Sequence, residues 1–278
     1  MYNLGINSNN ECGSTFSEIC ENIKSAGFEN IMIAFKSGNA EESIQQAKEF
    51  GLKIPFVHLT NTYADDLWSV GESNDNYVES MKNEIKLCAK YGIKVAVMHA
   101  SQGDPIRKII EPSKHALECM KEIVKTAKEG DVKLALENVD RPNFDHFEFL
   151  LDNIHSKSLG FCYDVGHHHL YNPEFDILSK YGDRLIAIHL HDNLMDWKYG
   201  HDFTRDLHML PFDGKINFEK VCQKLAKTKY NDTIMLEIHK ISFSEPRKYK
   251  NMKVESFLHQ AKERSIKFAE MIEKYRNK

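Results

Sequence analysis

Six short apolar runs punctuate this chain, and each ends on a side chain that can bind a metal ion. They are IPFVH ending at His58, VAVMH at His99, KLALE at Glu137, LGFCYD at Asp164, LIAIH at His189 and TIMLE at Glu237. Runs this short and this uniformly apolar predict parallel strands covered on both faces. A carboxylate or imidazole at the carboxyl end of such a strand adds nothing to core packing. Six in succession therefore point their polar groups at one place.

Amphipathic stretches separate these runs, and the alternation occurs eight times. Strands are expected at 2–6, 30–34, 53–58, 94–99, 133–137, 159–164, 185–191 and 233–238. Helices are expected at 15–26, 41–50, 77–91, 112–129, 145–154, 175–181, 218–227 and 254–275. Thr15 with Glu18 forms a capping-box signature. Gly51, Gly92 and Gly130 stand where helices should stop, and Pro112 where one should begin. With no composition break and no linker, residues 1–278 read as a single α/β domain, a (β/α)8 TIM barrel. The segments after strands (59–75, 100–111, 165–174, 192–217 and 239–253) are longer than those after helices. Barrel enzymes place their chemistry in those loops.

A chain of 278 residues with 41% hydrophobic content is long enough for one large core. Its net charge of −4 argues against a broadly basic surface, so a nucleic-acid partner is not indicated. Cys12, Cys20, Cys88, Cys119, Cys162 and Cys222 lack CxxC spacing and read as reduced thiols of a cytoplasmic protein. The opening MYNLGINSNN has neither a basic head nor a long apolar stretch, so no signal peptide is expected. No apolar run reaches the ~18 residues of a membrane span.

Glu137, Asp164, His189 and Glu237 end strands that would be neighbours around a barrel. Three carboxylates and one imidazole make a mostly hard oxygen site, suited to Mn²⁺, Mg²⁺ or Co²⁺ and tolerant of Zn²⁺. Without a cation these acids would repel one another. His58, His99, His167, Asp206 and His208 form a second set. They read equally as ligands of further metals, as contacts to substrate hydroxyls, or as groups that orient the first ligands. Candidate substrate contacts are Trp68, Asn138, His191 and Lys240, Trp68 as an apolar wall against a sugar ring. Tyr63 lies near Trp68, while His168, His169, His201 and His239 are weaker candidates beside the same loops. Cys162 reads as packing inside the barrel. Lys240, Arg247, Lys248 and Lys250 follow the last strand, where barrels often bind phosphate, but a solvated charge run describes them better.

The motifs ALEN, GFCYDVGH, IHLHDN, DLHMLPFDGKINF and MLEI resemble, in that order, the xylose isomerase-like barrel superfamily. That superfamily includes sugar phosphate isomerases and epimerases and the endonuclease IV family. The resemblance spans nearly the whole chain. It implies that Glu137, Asp164, His189 and Glu237 match the single-metal site of the ketose epimerases and isomerases. It also implies that His58, His99, His167, Asp206 and His208 match the remaining ligand positions of the three-zinc endonuclease. The chain departs from the nuclease pattern in having Asp-Val-Gly-His after strand six and His189-Leu-His-Asp-Asn after strand seven. HLHDN, LPFDGKINF and HLTNTYADDLW are similar to the sugar isomerase branch instead.

The expected activity is metal-dependent isomerisation or epimerisation of a sugar or sugar phosphate. Glu137 and Glu237 would move the proton beside the carbonyl, and His167 would contact a substrate oxygen. No organic cofactor is expected. Alternatives are an abasic-site endonuclease with a multinuclear zinc centre, and a metal-dependent dehydratase. Homodimerisation is open to such a barrel, and no oligomeric state follows from the sequence.

Overall fold

The structure, a computed structural model, describes residues 2–35, 39–102, 111–139, 144–194, 206–241 and 249–277. Eight parallel strands close into a barrel in sequential order: β1 (Asn3–Asn7), β2 (Asn30–Ala34), β3 (Phe56–His58), β4 (Val95–His99), β5 (Lys133–Glu137), β6 (Leu159–Asp164), β7 (Leu185–Leu190) and β8 (Thr233–Leu236). Helices lie between them: α1 (Phe16–Ser25), α2 (Ala40–Glu49), α3 (Glu72–Tyr91), α4 (Lys114–Glu129), α5 (Asp145–Asn153), α6 (Val165–Tyr171), α7 (Ile177–Tyr181), α8 (Phe218–Leu225) and α9 (Val254–Arg276). The expected (β/α)8 barrel is the observed fold. No helix among the described residues is long and apolar enough to cross a membrane.

The barrel interior explains why the ligands meet. Met32, Phe56, Val97, Ala135, Cys162, Ala187 and Met235 form a buried cluster of their own. Side chains alternate in direction along a strand. Six of these residues stand two positions before His58, His99, Glu137, Asp164, His189 and Glu237. The apolar layer is thus the floor, and the next inward side chains up each strand are the polar ones. Register keeps them level: His99 pairs with Glu137 across β4–β5, and Asp164 with His189 across β6–β7.

Several boundaries differ from expectation for local reasons. β3 is trimmed to Phe56–His58, while Lys53 makes only an isolated bridge to Asn30. Pro55, lying between, has no N–H for the ladder. α3 begins at Glu72, directly after Gly71 in a left-handed-side conformation (φ 88°). α4 begins after Ser113, whose side chain accepts from the Ala116 N–H, so Pro112 stays outside the helix. In α1 the capping box forms: Thr15 accepts from the Glu18 N–H, and Glu18 reaches back to the Ser14 N–H at 2.8 Å. The segment after Asp164, expected among the loops that follow strands, opens with the helix α6.

Candidate metal centre

Four side chains converge at the carboxyl ends of β5 to β8. Ligand atoms of Glu137, Asp164, His189 and Glu237 all lie within 4.8 Å of one another. His189 Nδ1 sits among the acids, 2.9 Å from Glu237 Oε2, 3.5 Å from Glu137 Oε2 and 3.7 Å from Asp164 Oδ2. Yet Glu137 Oε1, Asp164 Oδ2, His189 Nδ1 and Glu237 Oε2 are buried without an aligned hydrogen-bond partner. Buried polar atoms normally find partners. Atoms that crowd together unaligned, three of the four from carboxylates, have the arrangement of ligands facing a common cation. The residues therefore fit a divalent metal ion.

Two further groups bring ligand atoms within 4.8 Å of one another: His58, His99 and Glu137, and His167, His191, Asp206 and His208. Glu137 is common to the first two groups. Its Oε2 is 3.0 Å from His58 Nε2 and 3.4 Å from His99 Nε2, and its Oε1 is 2.9 Å from His167 Nδ1. His167 Nε2 lies 3.0 Å from Asp206 Oδ2, which ties the third group to the centre. Burial alone would push Glu137 up, but the imidazoles of His189, His167 and His58 hold it well below the usual carboxylate range. Burial likewise opposes charge on His189 and His167, yet Cys162, Glu237 and Glu137 hold the first, and Asp164, Asp206 and Glu137 the second, well above an ordinary histidine. Asp206 raises His208 against burial, to about 9.

Local folding places each group. Asp164 caps α6, its Oδ1 accepting from the His167 N–H at 2.6 Å, so one carboxylate starts the helix that presents His167. Asn138 clamps the Asp164 backbone through both amide ends, at 2.9 and 2.7 Å. The HDN motif works on the loop. Asp192 accepts from the N–H groups of Gly214, Ile216 and Asn193. Asn193 Oδ1 accepts from the Leu207 N–H, which sets Asp206 and His208 on either side. His208 has φ 44°, an uncommon conformation for a residue with a Cβ, and its Nδ1 lies 2.8 Å from the Glu237 carbonyl oxygen.

A sequence profile of the xylose isomerase-like TIM barrel matches residues 20–255. The chain belongs to that family. It is 28% identical to the uncharacterized protein y4fM of Sinorhizobium fredii, covering 77% of this chain and 78% of that one. It is 36% identical to the uncharacterized protein MJ1311 of Methanocaldococcus jannaschii over 42% of this chain and 41% of that one. Among solved structures it is similar to a D-tagatose 3-epimerase-like protein (TM-score 0.74, 21% identity, 98% of each chain). It is also similar to a D-psicose 3-epimerase from Clostridium cellulolyticum H10 (0.75, 16%, 97% and 99%) and to an IolI protein with a bound zinc atom (0.76, 16%, 98% and 99%). At these identities the likeness shows the fold.

The other candidates of this xylose isomerase-like barrel fall in different places. Trp68 does not border the cavity that Glu137 and Glu237 face. It is buried, donates its indole N–H to the Ala100 carbonyl at 2.7 Å, and packs edge-on against His146 at 4.4 Å. The short 3₁₀ turn Ala64–Trp68 folds it back onto the helix layer. Asn138 supports Asp164, as above, and is fully buried. Lys240 is buried with its Nζ donating to the Lys250 carbonyl at 3.1 Å. His168 bridges Tyr163 and the Phe175 carbonyl, and burial lowers it to about 4. Tyr63 is exposed, and Cys162 lies in the barrel floor. His239 borders the cavity, its Nδ1 2.5 Å from Glu11 Oε1. His201, Arg247 and Lys248 lie outside the described residues.

His191 does join the centre. It is fully buried, its Nε2 is 3.0 Å from Asp164 Oδ1, and its ring stacks on His208 at 3.9 Å. Gly166 makes the room: a Cβ there would fall 1.9 Å from His191 Cε1. Gly166→Ala should therefore displace His191 and loosen Asp164, destabilising the fold by about 1–3 kcal/mol. Thermal denaturation together with metal affinity checks this, and an unchanged pair of values would refute it.

Proposed function

We propose that this protein is a divalent-metal-dependent isomerase or epimerase of a small polyhydroxy carbonyl compound. One observation carries the reading. Of the four converging ligands, Glu137 and Glu237 also border an open cavity of about 200 Å³, whereas Asp164 and His189 are fully buried beneath it. Two ligands would anchor the ion and two would also face the substrate. A cavity this size is below the ~300–1,000 Å³ of drug-sized sites, which suits a small molecule. The epimerases among the similar structures agree with the reading.

Glu137, Asp164, His189 and Glu237 would hold Mn²⁺, Mg²⁺, Co²⁺ or Zn²⁺; when bound, the ion supplies Lewis acidity at the substrate carbonyl, which makes the adjacent C–H acidic. One of Glu137 and Glu237 takes that proton onto a carboxylate oxygen. Delivery of a proton to the opposite face by the other glutamate, which first takes that proton from a substrate hydroxyl or from water, inverts the carbon, giving epimerisation. Return on the same side, or to the neighbouring carbon, gives isomerisation. His167 borders the cavity and would donate to a substrate oxygen. Incubating Mn²⁺-loaded protein with ketoses and their phosphates in heavy water should place deuterium beside the carbonyl. Failure across the whole panel would end this reading.

A second reading has its own observation, the two additional ligand groups around Glu137 and His167. They support a multinuclear centre of the kind that hydrolyses phosphodiesters. Metal analysis separates the two: one tightly held ion per chain favours the isomerase, and three with incision of abasic duplex DNA favour the nuclease.

A further inference from the structure

We propose that the carboxamides of Asn9, Asn61 and Gln102 are the hydroxyl-recognising wall of this cavity, and that its ligand is an uncharged polyhydroxy compound. The proposal rests on the isomerase reading and deepens it. The three residues follow β1, β3 and β4, and all border the same cavity as Glu137 and Glu237. A carboxamide offers a donor and an acceptor, and so does a hydroxyl. A row of amides therefore matches a row of hydroxyls.

Gln102 is held for this task. Its backbone N–H donates to Asp65 Oδ1 at 2.7 Å, and Ser101 Oγ donates to the same oxygen at 2.7 Å. Its Oε1 is buried without a hydrogen-bond partner. A buried unpaired acceptor is costly, and a ligand that donates a proton to it is favoured. Asn9 is oriented too: its Oδ1 accepts from Asn7 Nδ2 at 2.9 Å, which fixes Nδ2 as the end that donates. Asn7 is itself clamped to Ile238 through both amide ends.

A phosphate dianion fits this wall poorly. It has no proton to give Gln102, and the cavity that would receive it sets the carboxylates of Glu137, Asp206 and Glu237 beside the imidazoles of His58, His99, His167, His208 and His239, so its charge gains no clear partner on this wall. Lys240, at the end of the barrel where phosphate is often bound, directs its ammonium to the Lys250 carbonyl.

Calorimetric titration of Mn²⁺-loaded protein with D-tagatose, D-psicose and L-ribulose, and with D-fructose 6-phosphate and D-ribulose 5-phosphate, tests the proposal. At least one free ketose should bind about tenfold or more tightly than either phosphate. Gln102→Ala should weaken that ketose about tenfold while leaving Mn²⁺ affinity unchanged. An analogue lacking the contacted hydroxyl should bind wild type and Gln102→Ala alike, which a general loosening of the loop would not produce. Tighter binding of a phosphate, binding of neither class, or indifference of the free ketose to Gln102→Ala overturns the proposal. A free ketose that binds in this pattern without exchanging hydrogen sinks the isomerase reading and leaves the carboxamide wall standing.

Discussion

Replacing Glu137 or Glu237 with Gln is expected to abolish deuterium exchange beside the substrate carbonyl, with a rate loss of at least about 10²–10⁴-fold. Gln keeps the volume of Glu, so the barrel floor beneath is not disturbed. What is lost is the negative charge and the ability to hold the abstracted proton. The two variants should differ in a second respect. Glu137 faces His58, His99, His167 and His189, all within 3.5 Å. Its neutral amide would leave four imidazoles without their shared counter-charge, so Glu137→Gln should also lower the melting temperature and the metal affinity. Glu237 approaches His189 at 2.9 Å and is partly open to the cavity, so its replacement should cost less stability. Exchange measured at saturating Mn²⁺ separates lost chemistry from lost metal. Undiminished exchange in both variants would remove the glutamates from the reaction.

The strand ends were legible because two physical signals coincide there. Apolar runs covered on both faces mark the strands, and a charged or imidazole group at the end of each has no packing role. The period of two then predicts that Cys162 and Asp164, or Ala187 and His189, point the same way, and the floor cluster has that arrangement. Other features were hidden because they depend on contacts distant in sequence. Asp192 reads as one more polar loop residue, and its partners at Gly214 and Ile216 lie more than twenty positions on. Asn9, Asn61 and Gln102 look like solvated loop residues until the barrel closes and brings three loops to one cavity. Trp68 reads in the sequence either as a ligand wall or as a loop residue folding back onto the barrel rim. An aromatic in a loop after a strand suggests a ligand wall, but the Ala100 carbonyl and the His146 ring hold it in the helix layer. The glycine of DVGH has a role that only the closed barrel reveals. Here the glycine serves the close approach of His191, and the backbone is helical.

The stability that metal adds should grow as pH rises from 6.5 to 9. In the metal-free protein His208 is held up at about 9 by Asp206, and His167 and His189 are also held above an ordinary histidine by their neighbours. A histidine whose folded value exceeds its unfolded value of ~6.5 stabilises fully below 6.5, and loses that contribution as pH rises through the folded value. For His208 the window is ~6.5 to about 9 and the loss is no more than about 3.5 kcal/mol, with His167 and His189 adding in the same direction. Glu137, Asp206 and Glu237 are held below the usual carboxylate range, so their contribution is present above that range and fades only in acid. The chelated protein should therefore melt progressively lower between pH 6.5 and 9. Metal binding needs neutral imidazoles and releases protons, so the loaded protein should gain relative stability over the same interval. Melting curves in chelator and in Mn²⁺ at pH 6.5, 7.5 and 9 should diverge as pH rises. Curves that stay parallel would mean that these histidines do not exchange their protons for a metal ion, and the centre built on His189 would fall with them.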